Sequence, residues 1–293
     1  MKPPPLTLHR PDSLAQAVRW LAELPNARVL AGGQTLMPML AMRYLYVDHL
    51  VDLNSVPGLD QISLVDGQLR VGALVRQREL ELSPLVKAHA PIVAEALGLV
   101  GHVQTRNRGT FVGSLCNMDP ASEQPAVAGL LDARIEVTGP RGQRELDFAD
   151  FAQGFMTTAL AADEIATAVR LQPWSASHGF AFIEYARRHG DFPLAGVGAL
   201  LELDGQHRLQ RLALRLVGVG ALPIDPLQDH SSAMGHVFDD AAINAIADLA
   251  ASVDAIGDGN ASREYRQHLA GVLTRRALQQ ARERAIAAQE TRP

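Results

Sequence analysis

Cysteine is nearly absent: Cys116 is the single one in 293 residues. An internal disulfide is therefore excluded, as is a cysteine-ligated zinc or iron–sulfur centre held by this chain alone. Long apolar runs are missing too. Nothing reaches the roughly 18 consecutive apolar residues a membrane helix needs, and the opening MKPPPLTLHR lacks the basic-then-apolar order of a secretory signal. These absences lead us to expect a cytoplasmic protein. Positive charge is not in excess, since the formal net charge is −5 and the sequence pI about 6.1. A general attraction to nucleic acid or to anionic membranes is thereby excluded. The ten histidines form no HExxH motif and no pair three or four apart on a clear helix, which argues against a histidine metal centre. Neither GxGxxG nor GxxxxGK[ST] occurs, so the dinucleotide fingerprint of Rossmann folds and the P-loop are both missing. GVGALL (196–201) and GVGALP (218–223) resemble the first only superficially, each lying in or beside a strand-like run.

What is present is an ordinary globular composition, 47% hydrophobic with mean hydropathy near zero, in a chain long enough for two domains and a sizeable core. Pro11-Asp12-Ser13 precedes Leu14, Ala17, Val18, Leu21 and Leu24, a spacing that predicts a capped amphipathic helix. Arg28 to Ala31 reads as a strand, Leu36 to Met42 as a helix and His49 to Leu53 as a buried strand. Gln61 to Val65 and Gln68 to Leu74 flank Asp66-Gly67, the dipeptide suited to a type I′ hairpin turn. Helical runs follow over Arg76 to Leu82 and Ile92 to Leu99. Arg134 to Thr138 and Arg144 to Leu146 form a second hairpin, with a short helix over Phe148 to Phe155 and a strand over Glu164 to Leu171. Pro173 to Ser177 is the best linker candidate. Beyond it come three strands, Gly179 to Ala186, Leu194 to Leu203 and Leu209 to Val219. Helices over Asp239 to Val253 and from Ser262 onward complete an α+β unit.

Two stretches carry chemistry. Thr105 to Pro125, TRNRGTFVGSLCNMDPASEQP, is polar and irregular between apolar helical runs and reads as a long binding loop. Gly109 and Gly113 bracket Thr110-Phe111-Val112, so positive φ on either side would bring backbone N–H groups to an anion. The second stretch is Gly32-Gly33-Gln34-Thr35, running from the strand into the helix. A strand, a glycine pair and a helix start form a phosphate-cradling order, because no side chains obstruct the unpaired N–H groups.

Taken together, AGGQTLMPMLAMR (31–43), RNRGTFVGSLCNMDPASEQPA (106–126) and EYARRHGDFPLAGVGALL (184–201) resemble the FAD-binding medium subunit of molybdenum hydroxylases, over essentially the whole chain. The resemblance implies an α+β protein. A two-subdomain FAD-binding domain of the vanillyl-alcohol oxidase type covers 1–175, divided near residue 56, and a small domain with a three-stranded antiparallel sheet and helices covers 176–293. It implies that Ala31, Gly32, Gly33, Gln34, Thr35 and Leu36 wrap the FAD pyrophosphate, with Thr110, Phe111, Gly113 and Ser114 from the second loop. Glu123, with Asp119 nearby, takes the place of a carboxylate accepting from sugar or ribityl hydroxyls. Ile165 and Ala166 match backbone positions beside the flavin ring, and Phe192 matches an aromatic near it. Val112 stands where the family usually has glycine, which would displace the loop or weaken flavin binding.

The resemblance further implies an electron-transfer role with no catalytic acid or base and no metal held by this chain. Electrons would come from the [2Fe-2S] clusters of an iron–sulfur small subunit. The molybdenum cofactor would sit on a large subunit, in a dimer of heterotrimers, and an external acceptor would take the electrons. Two alternatives stand beside it, a self-sufficient flavoprotein oxidoreductase of the same fold and a flavin-free scaffold subunit. The arginines of the last helix, Arg263, Arg266, Arg275, Arg276, Arg282 and Arg284, read either as a partner face or as a solvated face.

Overall fold

The computed structural model describes residues 2–227 and 229–290, so the end of the last expected helix, 291–293, lies outside the described residues. The chain collects into two compact units. One comprises residues 2–80, 102–118 and 132–172; the other comprises 81–101, 119–131 and 173–290.

The first unit begins with a parallel three-stranded sheet in the order Thr7–His9, His49–Asp52, Ala27–Leu30. Its outer strand Thr7–His9 follows the prolines, a stretch too short to carry its own period-2 signal. Alternation along the other two strands builds two small cores. Val29 and Val51 join Ala17, Val18 and Leu21 of the helix Leu14–Glu23, whereas Leu30 and Leu50 join Leu40 of the helix Leu36–Met42. Ser13 caps the first helix as expected, its hydroxyl accepting from the Gln16 amide at 3.3 Å.

A five-stranded antiparallel sheet follows, in the order Ile62–Val65, Gln68–Gly72, Ile165–Leu171, Arg134–Gly139, Gly142–Asp147. Asp66 and Gly67 have φ of 51° and 77°, the two positive values that a type I′ turn requires. The helix expected over Phe148 to Phe155 stops at Phe151, where the chain turns into a two-stranded ribbon, Ala152–Gly154 with Thr157–Thr158. Buried Phe148 and Phe151 hold that single turn.

The stretch 105–125 is not the long irregular loop its polarity suggests. It is divided among the helices Val103–Arg106, Phe111–Asn117 and Glu123–Leu130, separated by short turns. Several polar side chains here are interior: Arg106, Thr110, Ser122 and Glu123 are buried, whereas Asn107 and Arg108 are exposed.

In the second unit an antiparallel sheet of Gly179–Tyr185, Ala195–Leu203 and Leu209–Val217 is covered on both faces. Ala195, Val197, Ala199 and Leu201 pack with the helices Asp240–Ala250 and Arg263–Glu290. Gly196, Gly198 and Leu200 point the other way, and Gly198 lies beneath Leu130 of the helix Glu123–Leu130. The helix Pro91–Leu99 packs beside that helix, and Glu95 ties it to the sheet by accepting from the Phe182 amide at 2.8 Å and from Arg284 at 2.7 Å. A further helix, Pro84–His89, is started by Ser83 and by proline at its first position. The candidate linker is docked: Trp174 is buried under the Arg211 guanidinium, 3.9 Å from its ring centre, and the Ser175 amide donates to Glu202. Along the last helix Arg263 and Arg276 are exposed, while other arginines are tied down within the chain. Arg266 is buried on the Leu194 and Gly218 carbonyls, Arg275 donates to Asn244, and Arg282 and Arg284 pair with Asp240 and Glu95.

Candidate functional site

Within the first unit the two glycine-rich stretches meet. A Cβ on Gly32 would run into the Arg108 carbonyl oxygen and stand 2.8 Å from the Gly109 Cα, so only glycine permits this backbone-on-backbone approach. Gly33 has φ of 72°, which turns the strand Ala27–Leu30 into the helix Leu36–Met42. Gly109 and Gly113 do not adopt the positive φ expected of them; what each needs is room. At Gly109 a Cβ would stand 2.6 Å from Gln77 Oε1, beside the Gln77 amide that donates to the Gly109 carbonyl at 2.9 Å. At Gly113 it would stand 2.6 Å from the Thr110 hydroxyl, which accepts from the Gly113 amide at 3.1 Å and so caps the helix.

Ala31, Gly32, Gly33 and Gln34 line a cavity of about 370 Å³ together with Leu30, Met37, Pro38, Asp52, Asn54 and Arg108. Thr35 and Gln34 are exposed and Leu36 half-buried. The amides of Gln34, Thr35 and Leu36 have no acceptor among the described residues, the first intrahelical bond running from Met37 to Gly33. Thr110 stands at the helix start and Ser114 is half-buried, while the Phe111 ring is core. Val112 is 2% exposed, its side chain packed away from solvent. Ile165 and Ala166 are buried at a bulge of the five-stranded sheet, Ile165 in the core with Ala17 and Val51.

The other predicted residues belong to the second unit. Asp119 closes a turn by accepting from the Ala121 amide at 2.9 Å. Glu123 is 3% exposed, and its Oε2 finds no partner among the described residues. Burial, then the like charges of Glu184 and Asp119, push its pKa up to about 8. Glu184 lies on the sheet face of its cross-strand partner Gly196, has an equally unpartnered Oε2, and is pushed by burial to about 7. Phe192 is 62% exposed in the segment after Arg188, whose guanidinium pairs with Asp191 at 3.1 Å. Burial also raises the Cys116 thiol to about 12. Asn54, Asp52 and Arg76 carry no sequence motif. They lie outside both glycine stretches, and only tertiary packing brings them there.

A strand-turn-helix with a side-chain-free turn, joined to a second glycine turn in an α+β chain, is the geometry of a phosphate-cradling, nucleotide-binding protein. Residues 4–174 match the family described as the FAD binding domain in molybdopterin dehydrogenase, and residues 180–281 match the CO dehydrogenase flavoprotein C-terminal domain. The chain belongs to this family of FAD-binding medium subunits of molybdenum hydroxylases. It is 33% identical to the carbon monoxide dehydrogenase medium chain of Afipia carboxidovorans, over 97% of this chain and 99% of that one. To the nicotine 6-hydroxylase medium subunit of Paenarthrobacter nicotinovorans it is 34% identical, over 96% and 99%. Its fold matches a chain of quinoline 2-oxidoreductase from Pseudomonas putida 86 with a TM-score of 0.93 at 33% identity, covering 98% of this chain and 100% of the other. Among the described residues no helix is long and apolar enough to cross a membrane.

The residues fit FAD. Pyrophosphate requires N–H donors clear of side chains, which the Gly32–Thr35 turn offers.

Proposed function

We propose that this chain is the FAD-carrying electron-transfer subunit of a molybdenum-containing hydroxylase or dehydrogenase complex. In this reading it takes electrons from the [2Fe-2S] clusters of a small subunit and passes them to an external acceptor. The molybdenum cofactor belongs to a large subunit, the assembly is a dimer of heterotrimers, and the complex is cytoplasmic. The flavin domain is 1–175, with a subdomain boundary near residue 56, and the C-terminal domain is 176–293. The observation that carries the reading is the close approach of Gly32 to the Arg108–Gly109 backbone, which leaves a turn free of side chains in a chain of this family.

FAD, when bound, supplies the one- and two-electron chemistry. The protein's part is to hold and orient it. Ala31 to Leu36, with Thr110, Phe111, Gly113 and Ser114, would hold its pyrophosphate through backbone amides and hydroxyls. Glu123 and Asp119 would accept from its hydroxyls, and the backbone of Ile165 and Ala166, with Phe192, would hold its ring system. No side chain of this chain acts as a catalytic acid or base, and none holds a metal.

The test is purification of the intact complex followed by acid release of flavin. Release of about one FAD per chain, alongside molybdenum and iron, is the expected result. A complex that contains molybdenum and iron but no flavin overturns the reading.

A further inference from the structure

Both glycine turns are tied to one side chain that neither contains. The Arg76 guanidinium donates through Nη1 to the Arg108 carbonyl at 2.9 Å and through Nη2 to Asn54 Oδ1 at 2.5 Å. Asn54 in turn donates through Nδ2 to the Ala31 carbonyl at 3.0 Å, and its amide donates to Asp52 Oδ1 at 3.1 Å. Arg76 thus reaches the second turn directly and the first through Asn54. The Arg108 carbonyl that it holds is the one against which Gly32 is packed.

Local structure fixes Arg76 in this place. Its own amide donates to Glu79 Oε2 at 3.0 Å, and Arg76 bridges in antiparallel fashion to Thr110, with the Gln77 amide on the Gly109 carbonyl at 2.9 Å. A planar guanidinium suits the task, since it presents donors to two acceptors at a fixed spacing and stays charged when partly buried. Arg108 lines the cavity beside the first turn. Burial, and next the Arg108 charge, lower the Arg76 pKa, and an anion bound at the turns would relieve the repulsion between the two cations.

We infer that Arg76, acting through Asn54 on one side and the Arg108 carbonyl on the other, is the positioning residue that fixes the spacing of the two glycine turns for the dinucleotide. The inference rests on the FAD reading above. Arg76 need not touch the cofactor. Without it, the carbonyls of Ala31 and Arg108 are no longer held in common, and the cradle must be ordered at the cost of binding.

The experiment is a double-mutant cycle on FAD affinity of the full-length apo chain, followed by flavin fluorescence, with Arg76→Ala, Asn54→Ala and the double variant. Absence of FAD binding by the parent would count against the FAD reading itself and is measured first. Given parent binding, each single variant is expected to bind about tenfold more weakly. The double variant is expected to be weakened about as much as either single one, because both act through one connection. Methylguanidinium added to Arg76→Ala restores affinity, a response that general loosening of the fold would not give. Arg76→Lys, which keeps the charge but not the fork, falls between parent and Arg76→Ala and serves if the alanine variant does not fold. Parent-like affinity in Arg76→Ala or Arg76→Lys, losses that simply multiply in the double variant, or failure of methylguanidinium to restore binding overturns the inference.

Discussion

Gly32 and Arg108 are in contact through backbone alone: the space that a Cβ of Gly32 would occupy is taken by the Arg108 carbonyl oxygen. This contact makes one cradle of two turns far apart in sequence. Gly32→Ala forces the turns apart, since backbone cannot yield as a flexible side chain can. We expect a loss of about 2 kcal/mol in stability, typical of overpacking, and FAD binding weakened by more than tenfold. Urea denaturation and a flavin titration measure the two, and parent values for both would show that the contact is dispensable.

Val112→Gly is expected to harm the fold without helping the site. It removes a buried isopropyl group and puts glycine in a helix, together worth roughly 3 kcal/mol. A shift of the urea midpoint with FAD affinity unchanged per folded molecule is the outcome expected. Tighter binding in the variant would mean that Val112 obstructs the cofactor.

Glu123 makes stability depend on pH. Its folded pKa of about 8 lies above the ordinary 4.5, so the folded chain holds an extra proton between those values. Stability is then highest below about pH 4.5 as far as this group is concerned, and it declines as pH rises through about 8, by an amount on the order of a few kcal/mol. Glu184, raised to about 7, acts in the same direction. Glu123→Gln should remove the larger part of the decline in urea midpoint between pH 5 and 8 (). If the slope survives the substitution, the proton is held elsewhere.

Gly179→Ala tests the second unit. A Cβ there would meet the Ala281 carbonyl head-on and stand 3.0 Å from the Ala285 Cβ, lifting the long helix from its sheet. A loss of about 3 kcal/mol is expected by thermal melting. A parent-like melting temperature would mean that the helix shifts at little cost.

Much of this was legible in the sequence wherever the determinant is local. Asp66-Gly67 announces its turn because the two positive φ values are a property of those two residues, and Ser13 announces its helix because a hydroxyl three residues before Gln16 is all a cap needs. The glycines at 32 and 109 signal that side chains are unwelcome, but not what excludes them, because the excluding atoms belong to a distant segment. The polar run 105–125 misleads for a related reason. Polarity normally means solvent, yet Arg106, Ser122 and Glu123 are interior, and burial of that kind is decided by tertiary partners. Arg76 and Asn54 carry no motif, and their part is visible only through the bonds they make.

The way the units divide the chain bears on how the molecule is made. Everything in the first unit has been synthesised once residue 172 leaves the ribosome, so that unit can close while translation continues. Residues 81–101 and 119–131 emerge with it but belong to the second unit, and their apolar faces, Val93, Leu97, Val127 and Leu130 among them, must wait for the strands and long helix that come last. For that interval the nascent chain carries apolar helix faces with nothing to cover them, the condition under which aggregation competes with folding.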